Sequence, residues 1–186
     1  MSFMRIFPVA AVAVAVTVAG CGSSSSSKST SSSKAPATTG REASPPGDIP
    51  DNQAYVAYSP PGSGFSVKVP EGWARTQAGG VTTFTDKLNT IKMSAKSGSC
   101  PTPAALKARQ PGKVTTVKRS AGTALVDSYI ADSKPNAVTG KVHSDDIQLY
   151  VFCKSGKEVD LVLSGPKGAD NVDPWKIVTD SLRFTA

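Results

Sequence analysis

The chain has 186 residues, 21 Lys and Arg against 14 Asp and Glu, and a formal net charge of +7. There is one histidine, whereas zinc centres usually draw on several His or Cys ligands. Neither a Gly-x-Ser-x-Gly elbow nor a Gly-Lys-Ser/Thr phosphate loop is present, which argues against α/β-hydrolase and P-loop chemistry.

Residues 1–20 read as an export signal. Arg5 precedes an apolar run from Phe7 to Ala19, and the small residues Ala19 and Gly20 lead into Cys21. The run is 13 residues long. As a helix it covers roughly 20 Å, short of a hydrocarbon core of about 30 Å. A cysteine directly after Ala-Gly is the acceptor pattern of a lipoprotein signal: the thiol takes a diacylglycerol, and cleavage leaves it as the new N-terminus. One acyl chain binds reversibly, two hold firmly. The expected location is the extracytoplasmic face of the cell membrane, anchored through Cys21, so nucleic acid is not an expected partner. Val18 stands where such signals usually carry Leu.

Cys21 with residues 22–54 reads as a tether. Ten of residues 22–50 are Ser, and Pro36, Pro45, Pro46 and Pro50 punctuate the segment. Such a composition cannot bury enough surface to offset ordering. Its root-mean-square reach is about 30 Å, and roughly 95 Å when stretched. Residues 55–186 then form one domain, long enough for a single small core.

Within that domain Tyr55–Tyr58 reads as a strand and Pro60–Gly64 as a turn. Phe65–Val69 alternates apolar and polar, the mark of a half-buried strand, and Pro70 ends it before a bend at Gly72-Trp73. Val81–Thr85 and Thr90–Ala95 are further strands. Thr102 can cap a short helix that has Pro103 at its first position and is stopped by Pro111-Gly112. Lys113–Lys118 and Gly122–Ala131 read as strands. Ile147–Cys153 and Glu158–Leu163 flank Lys154-Ser155-Gly156-Lys157, a hairpin. A closing helix spans about Pro174 to Ser181, capped by Asp173, with Trp175, Val178 and Leu182 on one stripe. The expected class is α+β: a central antiparallel β-sheet covered by helices; the main alternative, should the helix at Thr102 fail, is an all-β sandwich, against which the closing helix argues.

Two stretches carry a resemblance. Phe65–Trp73, FSVKVPEGW, looks like the F-x-V-x-x-P-x-x-W opening of the PsbP-like superfamily. Leu163–Asn171 with Trp175 and Ser181–Phe184 is similar to actinobacterial lipoproteins of that group, including the mycobacterial LpqN type. The resemblance spans about residues 55–186. It implies an α/β/α sandwich on an antiparallel sheet, and accessory or binding roles more than enzymatic ones. It supplies no catalytic residues and no cofactor.

Cys100 and Cys153 form an even pair in an oxidising compartment, which favours a disulfide over two buried thiols. His143 with Asp145 and Asp146 reads more simply as a solvated turn than as a metal fragment. Asp170-Asn171-Val172-Asp173 lacks the ligand set of a calcium loop, and helix capping explains it. Trp73 and Trp175 read as core anchors before groove residues. From Lys87 to Arg119 there are eight cations and no acid. Such a run is most simply a solvated basic surface. If Lys107, Arg109, Lys113, Lys118 and Arg119 converge, they form a patch for an anionic wall polymer, lipid headgroups or an acidic envelope protein. The expected function is a membrane-anchored, non-catalytic accessory or binding module. The alternatives are a small-molecule or lipid carrier and, behind it, a hydrolase.

Overall fold

The computed structural model describes residues 45–110 and 112–185. The export signal, Cys21 and the tether up to residue 44 lie outside the described residues. Two antiparallel sheets face each other. The larger is built from β3 (Ala74–Ala78), β4 (Val81–Asp86), β5 (Asn89–Ser97), β6 (Lys113–Arg119), β7 (Gly122–Asp132), β8 (Ser144–Lys154) and β9 (Lys157–Pro166), in the order β3-β4-β5-β9-β8-β7-β6. The smaller has β2 (Phe65–Pro70) between β1 (Tyr55–Tyr58) and the two-residue β10 (Arg183–Phe184). Helix α1 spans Pro103–Arg109 and α2 spans Val172–Ser181.

Alternation decides which face of the large sheet is dry. Paired residues share a face, so Met93 and Leu161, Ile91 and Leu163, Val159 and Phe152, and Val126 and Tyr150 line one side. Phe65, Val67 and Val69 of β2 and Trp175, Val178 and Leu182 of the closing helix region close over them as the main core. The expected apolar stripe of α2 is therefore what docks it.

The opposite face is only partly covered. Helix α1 buries Leu106 against Leu149 and Val151. Beyond it, β3, β4, β5 and β9 present Thr76, Thr83, Thr85, Thr90, Lys92 and Ser164, which need no cover. The molecule is thus predominantly antiparallel β with one helix on each face of the large sheet, so the expected cover by helices is met only in part. The alternation hydroxyl-out, apolar-in lets water take the place of a second helical layer.

Three local expectations change. Packed chain begins before Tyr55: Ile49 is buried in the main core, so residues 45–54 belong to the domain rather than to the tether. The chain between the bend at Gly72-Trp73 and Val81, where the sequence marks no element, forms strand β3 over Ala74–Ala78, paired along its length with β4. Asp173 does not cap α2. Asn171 holds the cap position and makes no side-chain cap bond, while Asp173 sits in the first turn, where a carboxylate favours the helix dipole. Thr102 does cap α1, accepting from the Ala105 amide at 3.1 Å. The Cys100–Cys153 disulfide is present, with Cα atoms 5.8 Å apart, and ties the approach to α1 onto β8.

Candidate functional site

The basic run does not form one patch. Lys107 is exposed on α1. Arg109 turns to Glu158, its Nη1 donating to Oε1 at 3.0 Å. Lys118 and Arg119, adjacent on β6, point to opposite faces of the sheet. Arg119 reaches α2, donating from Nε to Thr179 Oγ1 at 2.9 Å and pairing with Asp180 at 3.5 Å. Its guanidinium carbon lies 5.6 Å from the centre of the Tyr150 ring. That is a clasp between sheet and helix, with a cation–π contact added. Lys113 is exposed and makes no ion pair among the described residues.

Glu158 is the centre of a second charge cluster, on the face that carries α1. It is 2% exposed and takes Lys96 Nζ at 3.0 Å as well as Arg109. Burial pushes its carboxyl up, but hydrogen bonds from Lys96 and Arg109 outweigh that and hold it below the ordinary range. Asp160, two residues on, is raised by burial, with Lys96 opposing and Glu158 adding to the rise. Asp127, fully buried beside the α1–β6 connection, has no hydrogen-bond partner for either oxygen among the described residues, and burial pushes it up.

His143 lies in a local clasp. Its Nδ1 is 3.1 Å from Ser133 Oγ, and its Nε2 is 3.1 Å from Asp145 Oδ1. Burial raises the Asp145 carboxyl, with His143 opposing and Asp146 reinforcing. Ser133, which the sequence did not single out, also donates to the Lys134 carbonyl and accepts from the His143 amide, both at 3.1 Å. The hydroxyl is bound into the turn that joins β7 to β8. Among the described residues no group of three or more His, Cys, Asp or Glu is placed to hold a metal ion.

A cleft of about 600 Å³ lies between α2 and the β6-β7-β8 end of the dry face. This is within the size range of small-molecule sites. Strand register builds its floor: Lys113 pairs with Ser128 and Ser128 with Gln148, while Ile130 pairs with Asp146. Arg119 and Tyr150 close one end, and Val172, Trp175 and Lys176 of α2 form the wall. Tyr150 donates its hydroxyl to Gln148 Oε1 at 2.7 Å. Lys176 pairs with Asp180 one helical turn on. Trp175, expected in the core, is 7% exposed and also faces this cleft.

Asn171 fixes the rim. It accepts the Ile49 amide at 2.9 Å and donates to Asn89 Oδ1 at 3.0 Å and to the Gly47 carbonyl at 3.2 Å. Gly165 lies under this cluster, and a Cβ there would collide with the Asn89 and Asn171 side chains. Of the five cations named from the sequence, the structure brings Lys113 and Arg119 to the cleft and leaves Lys107, Arg109 and Lys118 elsewhere.

The fold and cleft define a small antiparallel-sheet domain with one helix-roofed groove. No family model and no curated protein matches the chain. Among solved structures, a crystal structure of a protein from Bacteroides thetaiotaomicron VPI-5482 is similar at a TM-score of 0.53 and 17% identity, over 70% of this chain and 48% of that one. The chain therefore spans about half the length of that protein, and the likeness concerns fold alone. The solution structure of cyanobacterial PsbP (CyanoP) from Synechocystis sp. PCC 6803 aligns at a TM-score of 0.48 and 16% identity, over 71% of this chain and 93% of that one.

Proposed function

We propose that this chain is a lipid-anchored, extracytoplasmic binding module of the PsbP-like superfamily, of the LpqN lipoprotein type, that acts without catalysis at the cell envelope. Anchorage rests on the Cys21 signal, and the family assignment on FSVKVPEGW and the closing segment. The observation that carries a binding role is the cleft beneath α2, whose lining mixes apolar side chains with three cations and one acid. An envelope protein or an anionic wall polymer is the partner class that fits a tethered basic domain.

The test is crosslinking in the cell from a photoreactive residue placed at Ile130, in the native chain and in Cys21→Ser. A species captured at that position from the anchored chain, and reduced in Cys21→Ser, supports a membrane-surface binding module. Equal capture with and without the anchor removes the anchorage from the reading, and no capture at Ile130 removes the cleft. A second reading, a small-molecule or lipid carrier, is favoured by the cleft's size and its Trp175 wall.

A further inference from the structure

We propose that the cleft beneath α2 binds a single-chain amphiphile with an acidic headgroup, a carboxylate or a phosphate monoester; this rests on the reading of the chain as a binding module. Charge is the first argument. Arg119 and Lys176 share one carboxylate, that of Asp180, and Lys113 makes no ion pair among the described residues. Asp146 is the one acid among the lining residues, and its Oδ2 accepts the Gly168 amide at 3.3 Å. The cleft therefore has an uncompensated excess of positive charge.

Apolar exposure is the second argument. Ile130 is 54% exposed and Val172 73% exposed, on opposite sides of the cleft. Neither helps the fold where it stands, and both lose water contact when an alkyl chain lies between them and Trp175. Gln148 spends its side-chain oxygen on the Tyr150 hydroxyl, which leaves its amide N–H groups for a headgroup oxygen. A cleft of about 600 Å³ has room for one alkyl chain with its headgroup.

The experiment is calorimetric titration of the full-length Cys21→Ser chain, which carries no lipid of its own. The probes are laurate, dodecyl phosphate, dodecanol and inorganic phosphate. The expected result is one acidic amphiphile per chain, bound about tenfold or more tighter than dodecanol, with inorganic phosphate weaker than either acid. Laurate against dodecyl phosphate decides which headgroup is preferred. Lys113→Glu is expected to weaken the acids about tenfold and leave dodecanol unchanged. Ile130→Asp is expected to weaken acids and alcohol together. Both positions are exposed, and circular dichroism verifies that the variants fold.

Equal affinity for dodecanol and the acids overturns the headgroup argument, as does acid binding that ignores Lys113→Glu. Tighter binding of inorganic phosphate than of either acid overturns the tail. Binding of none of the probes overturns the ligand class; a protein or polymer crosslinked at Ile130 in the same chain would then leave the binding-module reading standing.

Discussion

Replacing Glu158 with Gln isolates what the second charge cluster contributes. The carboxylate is 2% exposed, while its partners Lys96 and Arg109 are 50% and 44% exposed. Breaking a buried pair costs about 3–5 kcal/mol when the orphaned charge stays buried. Here the orphaned cations are half in water and rehydrate, so exposed-pair values temper the loss. A relief term also operates. Asp160, raised first by burial and further by Glu158, loses a repulsive neighbour and keeps Lys96 at 3.3 Å. The expected net loss is about 1–2 kcal/mol at neutral pH.

The sign with pH follows from the lowered carboxyl of Glu158. Its stabilisation is complete above the unfolded value of about 4.3, and is lost as pH falls through the lowered folded value. Urea unfolding followed by tryptophan fluorescence should show Glu158→Gln less stable than the parent at about pH 7, with equal slopes and a shifted midpoint. At acid pH, below that lowered folded value, the two curves should converge. A deficit of the same size at both pH values would refute an electrostatic origin and leave only lost packing or hydrogen bonding. No deficit at neutral pH would show the ion pairs to be energetically neutral.

Three further outcomes are expected. Asp127→Asn should stabilise the chain by about 1 kcal/mol at neutral pH, because the buried carboxylate has no partner among the described residues. Since burial raises that carboxyl, the gain should vanish as pH falls toward the unfolded value of about 3.9; a pH-independent gain in urea melts would contradict this. Leu106→Ala removes the one buried residue of α1 and should cost about 2–5 kcal/mol by thermal unfolding, whereas a loss under about 1 kcal/mol would mean that α1 is held by Arg109 and the disulfide instead. Ile49→Ala should cost about 2–4 kcal/mol, and an unchanged midpoint would return residues 45–54 to the tether.

What the sequence made legible were the elements whose signals are local. Thr102-Pro103 marked α1, and the alternation of β8 and β9 marked their hairpin. That hairpin turns tightly at Ser155-Gly156, with φ of 50° and 74°, between the paired Lys154 and Lys157. Strand β3 was missed because all five of its residues are exposed, so no alternation exists to be read; pairing with β4 alone makes it a strand. Ile49 was missed because one apolar residue among prolines has no period. Its burial depends on Asn171, 122 positions away. The cleft was invisible for the same reason: Lys113, Ile130 and Trp175 come from β6, β7 and α2 and meet only through strand order. The basic run was read most simply as a solvated surface; which of its cations meet was not legible, since successive residues of one strand face opposite ways, parting Lys118 from Arg119, and Arg119 serves α2.

The clamp around Asn171 has a mechanical side. Asp48, Ile49 and Gly47 are joined to the region between β9 and α2 by the Asp170 amide to Asp48 Oδ1, the Ile49 amide to Asn171, and the Asn171 side-chain amide to the Gly47 carbonyl, which also accepts from the Asn89 side chain of β5. Asn171 is also the residue before α2 and part of the cleft rim. One residue therefore ties the first described stretch of the chain to the start of the cleft's own roof.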